Sequence, residues 1–234
     1  MLPHEYEINK LAKEESWRMF RIIGELVEGF DTLNGVEPAV TFYGSARLKE
    51  EDELWKKTEE IAYRLGKLGF NIITGGGPGV MAAANSGALK AGVLSIGLNI
   101  ELPAEQSINP YTNKSVTFHH FFVRKVMLAK YATAFIIMPG GLGTLDELCE
   151  ILTLIQTRKI QPFPVILYGL QYWSGLLNWL REVVLARDNI SPEDLNLLRI
   201  YDHPDEVIET VQHWYRDHEV SGKQLFEKEE EPEG

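Results

Sequence analysis

Pro139-Gly140-Gly141-Leu142-Gly143-Thr144-Leu145-Asp146-Glu147 follows the apolar run Ala134-Phe135-Ile136-Ile137-Met138, which reads as a buried strand. Beyond the glycines, Leu145, Leu148, Ile151, Leu152 and Ile155 recur at helical spacing. A strand therefore ends, glycines turn the backbone, and a helix begins. This order sets unpaired N–H groups and the positive end of a helix dipole against an anion, most often a phosphate. Glu147 lies one turn into the same helix, and an acid beside an anion cradle suggests chemistry on a phosphorylated small molecule.

A plainer reading competes. Thr144-Leu145-Asp146-Glu147 also fits a capping box, in which the third residue past the cap reaches back to the cap's own N–H. Glu150, three residues on, shares a face with Glu147. Near a phosphate site the two carboxylates would raise each other's proton affinity, whereas otherwise Glu150 belongs to a solvated acidic face.

Outward from this loop, strands alternate with helices. A helix over residues 5–33 presents Trp17, Phe20, Ile23, Leu26, Val27 and Phe30 on one broad apolar face, suited to packing across the domain or against a second subunit. Strands follow at 38–43, 70–74, 93–98, 134–138 and 164–168, with a short segment at 198–201. Helices are expected near 52–68, 80–91, 121–131, 173–185 and 204–214, besides the one after the lead loop. Residues 100–115 have no clear period, and a loop of that length in a compact domain is usually functional or a lid. The alternation predicts an α/β fold, a parallel sheet with helices on both faces, with ligands at the carboxyl ends of the strands. Three strands end in glycine loops, at Gly44, Gly75 and Gly140, which could converge on one crevice.

With 234 residues the chain fits one large domain. Its formal net charge of -11 argues against nonspecific nucleic-acid binding, which needs a basic surface. A single cysteine excludes an intrachain disulfide; Cys149, beside Leu148, reads as a small buried hydrophobe, and a cytoplasmic protein fits. No basic start followed by an apolar run suggests a signal peptide, and no apolar stretch approaches a membrane span. The division expected is a helical extension over 1–36, a nucleotide-binding domain over 37–218 and an acidic, disordered tail over 219–234.

The loop Gly75-Gly76-Gly77-Pro78-Gly79 departs from the dinucleotide fingerprint, since Pro78 and Val80 stand where glycines would fall. Its glycines exceed what a turn requires and favour close backbone approach to a ligand. Arg124 and Lys125 sit between apolar residues and cannot both face inward. Either both reach solvent, or Arg124 enters the crevice and contacts phosphate or ribose oxygens. Arg47, three residues after Gly44, could act similarly. His119 and His120, read as strand neighbours, would point to opposite sides and make a poor metal pair, so no metal is expected. No Gly-x-Ser-x-Gly or Walker loop is present, which weakens acyl transfer and ATP hydrolysis.

Several of these stretches together resemble a known family. The lead loop matches the PGGxGTxxE signature of the LOG ("Lonely Guy") family of cytokinin riboside 5'-monophosphate phosphoribohydrolases. Thr74-Gly75-Gly76-Gly77-Pro78-Gly79-Val80-Met81 resembles its second glycine loop, Tyr43-Gly44-Ser45-Ala46-Arg47 its first, and Arg124-Lys125-Val126-Met127 its RKxxM helix. The resemblance covers residues 38–215 and implies a Rossmann-like, doubly wound parallel sheet in a single domain, assembled as a homodimer or higher homo-oligomer. It implies cleavage of the N-glycosidic bond of a nucleoside 5'-monophosphate to free base and ribose 5-phosphate, with no cofactor. By position, Arg124 and Glu147 would be catalytic. Ser45, Arg47, Gly75, Gly76, Gly77, Met81, Lys125, Gly140, Gly141, Gly143, Thr144 and Glu150 would bind substrate. Asp146, where many plant-like members carry Glu, and the helical extension leave both a cytokinin nucleotide and an AMP-like one open as substrate.

Two other expectations remain. One is a carrier that binds a nucleotide or molybdenum cofactor without catalysis, and the other is a nucleotide sensor whose 100–115 loop closes on ligand. Members of the group have also been labelled lysine decarboxylases; no pyridoxal-lysine context surrounds Lys125 or Lys130.

Overall fold

The computed structural model describes residues 15–102 and 109–229. Seven strands are found there: β1 (Ala39–Tyr43), β2 (Asn71–Thr74), β3 (Ser95–Ile100), β4 (Lys114–Phe118), β5 (Ala132–Ile137), β6 (Val165–Tyr168) and β7 (Leu198–Tyr201). They form one sheet in the order β4-β3-β2-β1-β5-β6-β7. Every pairing is parallel, as the strand–helix alternation requires. Chain order reverses between β1 and β5, so the crevice for a ligand opens above the carboxyl ends of those two strands.

The helices are α1 (Glu15–Leu33), α2 (Glu53–Lys67), α3 (Val80–Ala91), α4 (Phe121–Lys130), α5 (Leu142–Gln156), α6 (Leu170–Trp179) and α7 (Pro204–Glu229). They cover both faces because the central strands are apolar on both. In β5, Phe135 and Ile137 join one core layer with Leu33, Met127, Leu148, Ile151 and Trp173, the side of α1, α4, α5 and α6. Ala134 and Ile136 join the other with Ile61, Leu65, Val80, Ala84 and Val207, the side of α2, α3 and α7. The small residues of α3 serve a helix contact as well as a sheet contact. A Cβ at Gly87 would lie 2.8 Å from the Tyr63 backbone nitrogen on α2.

Four expectations change. β4 occupies what looked like the end of a long loop: only Val116 and Phe118 of this edge strand are buried, too few to mark a period. Residues 103–108 of that loop lie outside the described residues. Cys149 is exposed, because one step of about 100° carries it off the buried stripe of Leu148, Ile151 and Ile155. The broad apolar face of α1 is divided. Ile22, Leu26 and Leu33 pack on the core, while Trp17, Phe20, Ile23, Val27 and Phe30 stay exposed; residues 5–14 of the expected helix lie outside the described residues. Finally, α7 runs on to Glu229, through much of the tail expected to be disordered. Residues 215–229 contain no proline, and Lys, Gln, Leu and Glu are good helix formers.

Candidate active site

The three glycine loops meet. The Ser45 amide donates to the Pro139 carbonyl at 3.0 Å, and the Ser45 carbonyl accepts the Val80 N–H at 2.9 Å. Gly79 has φ +70°, and a Cβ there would collide with the Ser45 carbonyl and Ala46. A Cβ at Gly140 would likewise lie 2.9 Å from the Ser45 nitrogen. These two glycines permit loop contact at closest approach. The cleft they frame has a volume of about 860 Å³.

The lead loop forms the strand end, turn and helix start that the sequence predicts. Gly141 caps α5, and the first amide to find a carbonyl in the helix is Leu145, donating to Gly141 at 3.0 Å. The amides of Leu142, Gly143 and Thr144 precede that bond and have no helical carbonyl to meet. The capping box is not formed: the cap is Gly141, without a side-chain bond, and Thr144 lies inside the helix, buried.

Glu147 turns to other partners. It is 8% exposed, and its Oε1 lies 3.3 Å from Arg124 Nη2. Tyr43, at the end of β1, stands beside the same carboxylate. Burial pushes the Glu147 carboxyl above its ordinary 4.5, against the opposing pull of Arg124 and of the Tyr43 hydroxyl. Burial, then the Glu147 charge, raises Tyr43 well above 10.0, so it stays a proton-bearing donor. Among the described residues, Arg124 Nε is the buried side-chain nitrogen or oxygen without a hydrogen-bond partner. Leaving such a donor unmet costs about 1–3 kcal/mol, which a ligand oxygen would recover.

Of the expected site residues, Ser45, Arg47, Gly75, Gly77, Met81, Arg124, Gly140, Gly141, Gly143, Thr144 and Glu147 line the cleft. Gly76, Lys125 and Glu150 do not. Gly76 is buried beneath its loop, with its amide on Thr74 Oγ1 at 3.0 Å. Lys125 Nζ sits 2.8 Å from Asp146 and 3.2 Å from Glu150, a link between α4 and α5 outside the cleft. Burial pulls the Lys125 ammonium down, but hydrogen bonds to those two carboxylates outweigh it and raise it.

Sequence reasoning missed Tyr43 and Tyr172. Tyr172, from α6, donates its hydroxyl to the Gly140 carbonyl at 2.6 Å and lines the cleft. Tyr43 could have been suspected from its place before Gly44; nothing local marks Tyr172. His119 and His120 lie past the end of β4, not on it, so both reach one carboxylate, Glu25. Among the described residues no group of three or more His, Cys, Asp or Glu could hold a metal ion.

A seven-stranded parallel sheet flanked by helices, with unpaired amides and a buried acid at its switch point, makes this a Rossmann-like α/β protein. More narrowly, residues 81–211 match the family model described as "Possible lysine decarboxylase", and the chain belongs to that family, the LOG family. It is 29% identical over 177 residues to a cytokinin riboside 5'-monophosphate phosphoribohydrolase of Arabidopsis thaliana, covering 73% of this chain and 81% of that protein. It is 29% identical over 140 residues to a pyrimidine/purine nucleotide 5'-monophosphate nucleosidase of Escherichia coli, covering 56% of this chain and 30% of that longer protein. In fold it is similar to the molybdenum cofactor carrier protein of Chlamydomonas reinhardtii, with a TM-score of 0.56, 20% identity and coverage of 76% of this chain and 98% of that one. At that identity the likeness concerns the fold alone.

Proposed function

We propose that this protein hydrolyses the N-glycosidic bond of a nucleoside 5'-monophosphate, AMP or an N-modified relative of it, to free base and ribose 5-phosphate. The observation that carries this is Glu147: a buried acid, released from any capping role, beside Arg124 and one turn from unpaired amides. The activities in the names of the two relatives support the same chemistry.

The 5'-phosphate docks on the amides of Leu142, Gly143 and Thr144, where the α5 dipole favours negative charge. That contact is remote from the bond broken and spends its binding energy on alignment. Arg124 directs its unpaired Nε–H and remaining guanidinium donors at ribose or phosphate oxygens. As the base departs, C1' becomes oxocarbenium-like, and the Glu147 carboxylate steadies that charge. Water adds its oxygen to C1', one of its protons leaves with the base, and no redox change occurs. Tyr43, like Arg124, pulls Glu147 toward the ionised state that this task requires, against its burial.

Incubation with AMP should release adenine and ribose 5-phosphate in equal amounts, measured by chromatography. Tight AMP binding without adenine release would sink the hydrolase reading and favour a carrier. A panel of nucleoside monophosphates then ranks the base.

The protein works as a homodimer in this proposal. α1 and α4 together expose Trp17, Phe20, Ile23, Val27, Phe30, Phe121, Phe122 and Val126, and Phe121 also borders the cleft. An apolar face this extended marks an interaction surface, and its continuity with the site favours a second copy. A monomer at micromolar concentration in sedimentation would defeat it. A reducing cytoplasm suits the exposed, unpaired Cys149.

A further inference from the structure

Glu25 is a buried acid that the proposed mechanism does not use. It lies on α1, 6% exposed. Its Oε2 accepts the His120 backbone N–H at 3.2 Å, and its Oε1 meets His120 Nδ1 at 2.9 Å and His119 Nδ1 at 3.2 Å. Three nitrogens on one carboxylate are what makes its burial tolerable. His119 Nε2 continues the chain to Glu101 at 2.7 Å, next to Leu102 on the wall of the cleft.

His120 immediately precedes α4, and its carbonyl accepts the Arg124 N–H at 3.2 Å. Glu25 therefore grips the first turn of the helix that carries Arg124. The cleft side gives that guanidinium less support: one ion-pair contact of 3.3 Å to Glu147 and the Phe121 ring 5.7 Å from Cζ, with Nε unmet. α1 is close enough to act as a brace, since a Cβ at Gly29 would stand 2.8 Å from Met127 Cε on α4.

We infer that Glu25 is a positioning residue for Arg124: the carboxylate on α1 fixes the start of α4 through His120 and thereby aims the guanidinium into the cleft. The inference rests on the hydrolase reading above. A misplacement of 1 Å in such a group costs about 100-fold in rate, so a modest release of α4 is visible in turnover.

The test is the double-variant cycle of Glu25→Ala with Arg124→Lys, read as adenine release from AMP, beside amide exchange along α4. Glu25→Ala in the wild-type background should lower kcat about tenfold, and in the Arg124→Lys background less than about twofold. Glu25→Gln, which keeps an acceptor for the His120 N–H, should recover most of the loss. A purely structural Glu25 would lower the melting temperature in both backgrounds and leave kcat of the folded enzyme intact; that result, or equal losses in both backgrounds, overturns the inference. If Glu25→Ala does not fold, His120→Ala removes the imidazole half of the grip and keeps the backbone N–H, so the same cycle should show a smaller loss of kcat that again vanishes in the Arg124→Lys background; equal losses in both backgrounds reject the inference. Absence of adenine release by the wild type defeats the hydrolase reading instead. Exchange then decides alone: Glu25→Ala must speed the amides of 121–125 relative to α5, and unchanged exchange there rejects the brace.

Discussion

Arg124 and Lys125 are neighbours on α4, and each faces acids on α5, yet their pairs differ in kind. Lys125 is saturated, with Asp146 at 2.8 Å and Glu150 at 3.2 Å, and Asp146 is 60% exposed. Arg124 has one ion-pair contact of 3.3 Å to a buried partner, the face of Phe121 and an unmet Nε. A turn of about 100° between adjacent residues separates them. The saturated pair joins two helices. The unsaturated pair keeps donors and an acid free for a ligand, at a cost in stability that binding would recover.

The largest expected effect breaks the buried pair. Glu147→Gln should reduce turnover of AMP by at least about 100-fold, the usual scale for a positioned acid or electrostatic group, while Glu150→Gln stays within a few-fold. Near-normal turnover of Glu147→Gln would erase the distinction between the two acids. Arg124→Lys should follow, losing roughly tenfold or more in kcat/KM because a point charge cannot replace the planar fork; Lys125→Arg should be silent.

Tyr43→Phe comes next, with two signatures. Activity needs ionised Glu147, so turnover should fall as pH drops through the raised value of that carboxyl, above 4.5. Tyr43 lowers that value, so Tyr43→Phe should move the acid limb to higher pH and reduce kcat/KM about fivefold near neutrality. An unmoved limb would detach Tyr43 from the acid.

Stability gives a smaller contrast. The folded state binds a proton on Glu147 that the unfolded chain has already released, so this residue removes stability as pH rises from 4.5 through its raised value. The melting temperature of Glu147→Gln relative to wild type should therefore climb across that window. Lys125→Ala should cost about 1 kcal/mol or less in urea unfolding and leave turnover unchanged, as expected of a partly exposed pair.

The parts legible in the sequence were local. Glycine loops after apolar runs located β1, β2 and β5 and their convergence, because a strand end, a turn and a helix start each depend on a few adjacent residues. At Thr144 the same logic left two readings, because the pattern of a capping box is there; Gly141 starts the helix a turn earlier and frees Glu147. β4 escaped notice because an edge strand needs only two buried side chains. Tyr172 on Gly140 and Glu25 on His120 join residues 32 and 95 positions apart, and no local spacing marks such contacts. Lys125 was placed with the ligand by motif, and Glu150 also by the helix face it shares with Glu147; their mutual pairing is a matter of which way each helix face turns.

The most direct test is a crystal of the protein soaked with ribose 5-phosphate. The phosphate should lie on the amides of Leu142, Gly143 and Thr144, with C1' toward Glu147 and an oxygen within reach of Arg124 Nε. A sugar phosphate bound elsewhere, with the 139–147 turn empty, would contradict the account.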